Sequence, residues 1–224
     1  MTHCDVVVLD YGSGNLRSAV RMLERVGAHV ELTADPDRAL AAEGLFVPGV
    51  GNFHACLRGL RAVDGPRLVA ERLAAGRPVM GICVGMQVLF AGSDEPNEDG
   101  AEPGLAVWPA RVERLAAPVV PHMGWSRVQV PEGSRLFAGV AAEHFYFVHS
   151  YAARHWPSPP PGACVSWADH GGPFVAAVED GPLWATQFHP EKSGDAGARL
   201  LENWVRSLQP AREPTTSAER GHDD

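Results

Sequence analysis

A chain of 224 residues, 45% hydrophobic and 21% charged, carries enough apolar surface for one α/β domain with a substantial core, or at most two small ones. Its formal net charge of −8 argues against nucleic acid or an anionic membrane as the natural partner. Cys4, Cys56, Cys83 and Cys164 are irregularly spaced with no C-x-x-C pair, which argues against a zinc site or redox dithiol and predicts a reduced, cytoplasmic protein.

The opening M-T-H-C-D-V-V-V-L-D lacks the basic region, apolar length and small-residue cleavage site of a signal peptide. No apolar run reaches the ~18 residues of a membrane span, so neither targeting segment nor span is expected. Residues 5–10 read as a buried strand, and Asn15 to Val26 as a helix with Leu16, Ala19, Val20, Leu23 and Val26 at helical spacing, closed by Gly27. A strand at His29 to Leu32, a short helix opening at Asp35-Pro36 and a strand G-L-F-V ending in P-G-V-G follow. Asp64 to Ala75 predicts an amphipathic helix, and Gly76-Arg77-Pro78 turns into V-M-G-I-C. Alternation at this interval predicts an α/β fold: a mixed, largely parallel sheet with helices on both faces, its ligands at the carboxyl ends of the strands.

Residues 92–104 read as an acidic loop, followed by short strands with turn signals and a last helix from Gly194 to Leu208. The polar stretch from Pro210 to Asp224 has no apolar period and is expected to be disordered, leaving one domain over 1–209.

In R-P-V-M-G-I-C-V-G-M-Q, Gly81 and Gly85 stand two residues either side of Cys83 between a strand and a helix. That is the nucleophile-elbow pattern with cysteine in place of serine: a sharp turn exposes the side chain, and the first helical N–H groups favour a thiolate. A core thiol at a tight turn is the plainer alternative. A cysteine nucleophile needs a base, and Q-F-H-P-E-K-S brings His189 to a strand end, with Glu191 two residues on and on the same side of an extended chain. A third strand end, P-G-V-G, could aim backbone N–H groups around Val50 at an oxyanion. Y-G-S-G-N fails as a dinucleotide loop because Arg17 occupies the third glycine position, and the ten histidines form no metal-binding pair such as H-E-x-x-H.

Taken together, G-I-C-V-G-M-Q, Q-F-H-P-E-K-S and P-G-V-G resemble the class I (triad) glutamine amidotransferases, whose fold is flavodoxin-like. Y-G-S-G-N-L-R-S, P-H-M-G-W and Y-F-V-H-S-Y are similar, within that class, to the glutaminase subunits of imidazole glycerol phosphate synthase. The resemblance implies Cys83 as nucleophile, His189 as general base and acid, and Glu191 as the carboxylate that orients it. It implies oxyanion donors at Gly49, Val50, Gly51 and Val84, and a glutamine site at Gln87, His149, Ser150 and Tyr151. Asn15, Trp125 and Lys192 fall at positions near a partner, the (β/α)₈-barrel cyclase subunit, to which ammonia would be channelled. Neither cofactor nor metal is implied. Ser126, where asparagine is expected after P-H-M-G-W, and Val84, where leucine is commoner, depart from the pattern. The glutaminase of another biosynthetic amidotransferase, a stand-alone cysteine hydrolase or stress protein of the same fold, and a non-catalytic docking module are the competing readings; the intact Cys83, His189 and Glu191 weigh against the last.

Overall fold

The computed structural model describes residues 4–98 and 100–208; the predicted tail lies outside them. The first half alternates β1 (Cys4–Leu9), α1 (Leu16–Arg25), β2 (Ala28–Thr33), α2 (Pro36–Ala41), β3 (Gly44–Val47), α3 (Phe53–Ala62), α4 (Gly65–Ala74), β4 (Val79–Ile82) and the four-residue α5 (Val84–Gln87). Then come β5 (Phe90–Ser93), β6 (Trp108–Arg114), β7 (His122–Arg127), β8 (His144–His149), β9 (Tyr151–Ala153), β10 (Cys164–Asp169), β11 (Pro173–Asp180), β12 (Leu183–Thr186) and α6 (Gly194–Ser207).

The central sheet has seven strands in the order β10-β11-β12-β4-β3-β1-β2. From β12 to β2 neighbouring strands run parallel, while β10 and β11 add antiparallel pairings. Strands β3, β4 and β12 are buried at every residue, as expected where helices cover both faces and side chains of either parity must be apolar. A three-stranded sheet (β5-β6-β9) and the β7-β8 hairpin complete the fold.

Local chemistry accounts for the element ends. Asp35 accepts from the N–H groups of Asp37 and Arg38 ahead of Pro36, and Asn52 accepts from Ala55 N–H, so α2 and α3 both start on side-chain caps. Helix α3 was missed in the sequence, although Phe53, Cys56, Leu57 and Leu60 occupy one buried face. The helix after Cys83 is a single four-residue turn, because the chain leaves it for β5 at Phe90.

A cluster of phenylalanines fixes the hairpin to the sheet: Phe145 and Phe188 rings lie 4.5 Å apart, Phe147 and Phe188 5.4 Å, and Phe137 and Phe145 5.4 Å. Burying each such side chain contributes roughly 1.5–3 kcal/mol. His189 N–H donates to Tyr146 O at 2.9 Å and Ser193 Oγ accepts from Tyr146 N–H at 2.9 Å. The strand end that carries His189 is therefore bound directly to the hairpin.

Candidate active site

The carboxyl ends of β3, β4 and β12 converge on one cleft of about 420 Å³, whose walls include Val50, Gly51, Cys83, Gln87, Glu95 and His189. Cys83 follows β4 with φ 54° and ψ −112°, a conformation costly for a residue with a Cβ and one that persists where the surroundings over-determine it. Those surroundings are visible. Cys83 N–H donates to Thr186 O at 2.7 Å, while its carbonyl accepts from Met86 and Gln87 N–H at 3.0 Å. A Cβ on Gly85 would overlap the Val47 carbonyl, and one on Gly49 would overlap Gly85 N. Glycine at 49 and 85 is thus what allows the P-G-V-G segment to lie against the turn that carries the cysteine.

His189 is buried, and its Nδ1 lies 2.8 Å from Glu191 Oε1. The sequence reading expected an extended chain here; instead Pro190–Lys192 forms one 3-10 turn, and the contact arises because the turn folds Glu191 back under the ring. Asn15 Nδ2 donates to the same Glu191 oxygen at 3.4 Å. Burial alone would push the His189 pKa down, but its hydrogen bonds to Cys83 and Glu191, with their charges, outweigh that and raise it to about 9. The imidazole is held as an imidazolium at neutral pH between a sulfur and a carboxylate.

The remaining predicted residues divide by environment. Val84 opens α5, so its N–H has no intrahelical acceptor. Val50 N–H, by contrast, donates to Ser13 Oγ at 3.2 Å, and Val50 O accepts from Cys56 Sγ at 3.2 Å. His149, Ser150 and Tyr151 line the cleft with Gln87. Gln87 spends its N–H donors within the protein, on Tyr151 O at 2.7 Å and Gln187 Oε1 at 3.0 Å, which leaves its Oε1 for a ligand. Lys192 stands at the cleft edge, and Trp125 is exposed on β7 beside Met123.

Sequence reasoning missed Glu95. It belongs to the acidic stretch read as a loop, yet it lines the cleft, its Oε2 receives Phe53 N–H at 2.7 Å and its carbonyl accepts from His54 Nε2 at 3.0 Å. A carboxylate so fixed can receive an ammonium group. The only hint was its position shortly after the strand that follows the cysteine helix.

Two solved structures share this fold: a glutamine amidotransferase with TM-score 0.68 at 23% identity, covering 91% of this chain and 97% of that one, and PurLQS from Thermotoga maritima with TM-score 0.66 at 17% identity, covering 93% and 100%. The family model for class-I glutamine amidotransferase matches residues 7–208, and the chain belongs to that family. Within the class, proteins of Thermobifida fusca and Mycolicibacterium paratuberculosis, both named imidazole glycerol phosphate synthase subunit HisH, are each 61% identical to it. The matches run over 211 residues (91% of this chain, 98% of the relative) and 209 residues (93% and 100%). That identity over nearly full length makes the chain a member of the HisH subunit family.

Proposed function

We propose that the chain is the glutaminase subunit of imidazole glycerol phosphate synthase, hydrolysing glutamine to glutamate and ammonia for histidine biosynthesis. The observation that carries the reading is the buried line from Cys83 through His189 to Glu191, with His189 drawn up to about 9. In this reading the Cys83 thiolate attacks the side-chain amide carbon of glutamine. The oxyanion forms against Val84 N–H and the glycine-flanked strand at Val50, with Gly49 and Gly51 giving that strand its freedom. His189 gives its Nε2 proton to the departing nitrogen, so ammonia leaves and a glutamyl thioester remains. Water then adds to the thioester as His189 takes its proton; the carbon–sulfur bond breaks and glutamate is released. Glu191 keeps the ring in the tautomer both steps require and stabilises its charged form.

For the substrate's other end we propose that Glu95 and Gln87 Oε1 receive the α-ammonium, with Ser150 and Tyr151 on the strand beside it. At neutral pH ammonia released to solvent would be protonated, so the proposed partner is the (β/α)₈-barrel cyclase subunit, which would consume it directly. Exposed Met123 and Trp125 on β7, with Asn15 and Lys192 near the triad, support an interface on this face; apolar aromatic surface of this kind marks docking sites. A cytoplasmic location is part of the same proposal, since four irregularly spaced cysteines with no C-x-x-C pair suit a reducing compartment.

The test is glutamate and ammonia release from glutamine by the purified chain, alone and with the cyclase subunit and its nucleotide ligand. Turnover that rises on adding subunit and ligand is expected; no glutamate under either condition would overturn the reading.

A further inference from the structure

One backbone carbonyl determines the orientation of a buried hydrogen-bonded chain that ends on the sulfur of Cys83. Tyr151 O can only accept, and two side chains reach it: His149 Nδ1 at 3.0 Å and Gln87 Nε2 at 2.7 Å. The amide nitrogen of Gln87 therefore faces Tyr151, and its second N–H donates to Gln187 Oε1 at 3.0 Å. Since Oε1 of Gln187 is committed as that acceptor, its Nε2 is turned the other way. It donates to Cys83 Sγ at 3.6 Å, within the range of a hydrogen bond to sulfur. Gln87 and Gln187 are 3% and 1% exposed, so bulk water cannot substitute for either link.

The backbone holds this amide in place. Gln187 N–H donates to Ala176 O at 2.8 Å, and Thr186 Oγ1 spans the residue to donate to Phe188 O at 2.9 Å. None of these bonds requires His189 or Glu191, so the contact on the sulfur is separate from the triad.

We propose that Gln187 is a further catalytic residue, whose side-chain N–H stabilises the Cys83 thiolate, and that Gln87 is the positioning residue that aims it. The inference rests on the reading of Cys83 as nucleophile. An ionised sulfur is a far better acceptor than a neutral thiol, so an N–H aimed at Sγ favours the charged form both before attack and again when sulfur leaves the second tetrahedral intermediate. Nothing is transferred through Gln187: it holds its protons throughout. Gln87 thus has a function besides lining the cleft, which is to prevent the Gln187 amide from rotating and presenting oxygen to the thiolate.

The experiment is alkylation of Cys83 by iodoacetamide in the full chain, followed by mass spectrometry of the peptide that contains it, for wild type, Gln187→Leu and Gln187→Glu. At pH 7 the leucine variant is expected to react about tenfold more slowly (~1.4 kcal/mol), near the low end of what a hydrogen bond to a charged group supplies. The glutamate variant, which presents an acceptor, should lose at least as much. Around pH 10.5, two units above the usual cysteine range, both should come within twofold of wild type, because the alkaline medium then supplies the ionisation that the N–H otherwise promotes. Rates within twofold of wild type at pH 7, or equal losses at both pH values, would overturn the proposal; the second pattern would make Gln187 merely structural. Should the leucine variant fail to fold by circular dichroism, Gln187→Met carries the same comparison. Glutamine hydrolysis is followed in the same preparations. If wild type releases no glutamate even with the cyclase subunit and ligand, the glutaminase reading fails while the alkylation rates still decide the role of Gln187.

Discussion

Val50 N–H donates to Ser13 Oγ at 3.2 Å, so the donor expected at the oxyanion points to the β1–α1 loop. Only a rotation of the peptide flanked by Gly49 and Gly51 would turn it towards Cys83, and Gly51, at φ +85° with open space around it, already occupies a region that favours glycine. One absent oxyanion donor costs on the order of 10²–10³ in rate, so the isolated chain should be a slow glutaminase that partner and ligand accelerate.

Removing the Ser13 hydroxyl should release the latch in part. A net hydrogen bond is worth roughly 0.5–1.5 kcal/mol, which predicts a rise of about three- to tenfold in glutamine turnover by Ser13→Ala without partner. In the ligand-saturated complex, where this hypothesis has the peptide already rotated, the same change should have little effect. Turnover numbers for the two proteins in each state decide this: an equal rise in both states, or none in the free chain, removes Ser13 as the latch.

Replacing Cys83 by alanine should abolish glutamine-dependent activity and leave ammonium-dependent activity with the proposed cyclase subunit in place, because added ammonium would bypass the thiol. Cys4 and Cys164, away from the cleft, should tolerate alanine with turnover retained. Glutamate release by the Cys83→Ala complex at near wild-type rate would remove the nucleophile assignment.

Most of this site was legible in the sequence because its principal residues stand at strand ends beside glycine or proline, where local pattern and chemistry coincide. Cys83 between Gly81 and Gly85, and His189 before Pro190, are such cases. What was not legible depends on pairs distant in the chain. Gln87 and Gln187 are 100 residues apart, Phe53 N–H meets Glu95 across 42, and Val50 meets Ser13 across 37. No periodicity encodes such contacts; they follow from which strands the topology sets side by side. Helix α3 is different, for its Asn52 cap and apolar face were in the sequence to be read.

Gly85→Ala tests the packing that shapes the turn. The added Cβ would meet backbone at Val47 and Pro48, not a side chain that could move, and overpacking of this kind costs about 1–3 kcal/mol. For a chain of this size that lowers the melting temperature by roughly 2–12 °C, with glutaminase activity lost as the elbow shifts. Gly51→Ala meets no atom within 4 Å and pays only for its left-handed backbone, about 1–2 kcal/mol. Calorimetry and turnover on both variants check the contrast. A Gly85→Ala protein with unchanged melting and activity would mean that the close approach to Val47 does not constrain the site.

The buried histidines at the cleft make stability depend on pH in two opposed ways. Burial, reinforced by His170, lowers the pKa of His122 to about 4. His149 falls to about 3, chiefly through burial and against the raising effect of its bond to Tyr151 O. Both are buried neutral, with His122 Nδ1 3.1 Å from His149 Nε2 and His122 Nε2 2.8 Å from Ser126 Oγ. Below ~6.5 the unfolded chain takes up protons that the native protein refuses, so their contribution is complete above that pH and is lost as pH falls towards 4 and then 3. His189 has the opposite sign: with its pKa raised to about 9, its contribution is complete below ~6.5 and is lost as pH rises through 9. Urea unfolding should therefore show a maximum near neutrality, with a loss on the order of 2–4 kcal/mol from His122 and His149 together by pH 5. His122→Phe keeps a ring in the stack between Phe147 and His170 but removes one titrating group. It should be less stable than wild type at pH 7.5, having lost two hydrogen bonds, and yet fall less between pH 7.5 and 5. A variant that loses as much over that interval as wild type would show that acid sensitivity arises elsewhere than in the buried histidine pair.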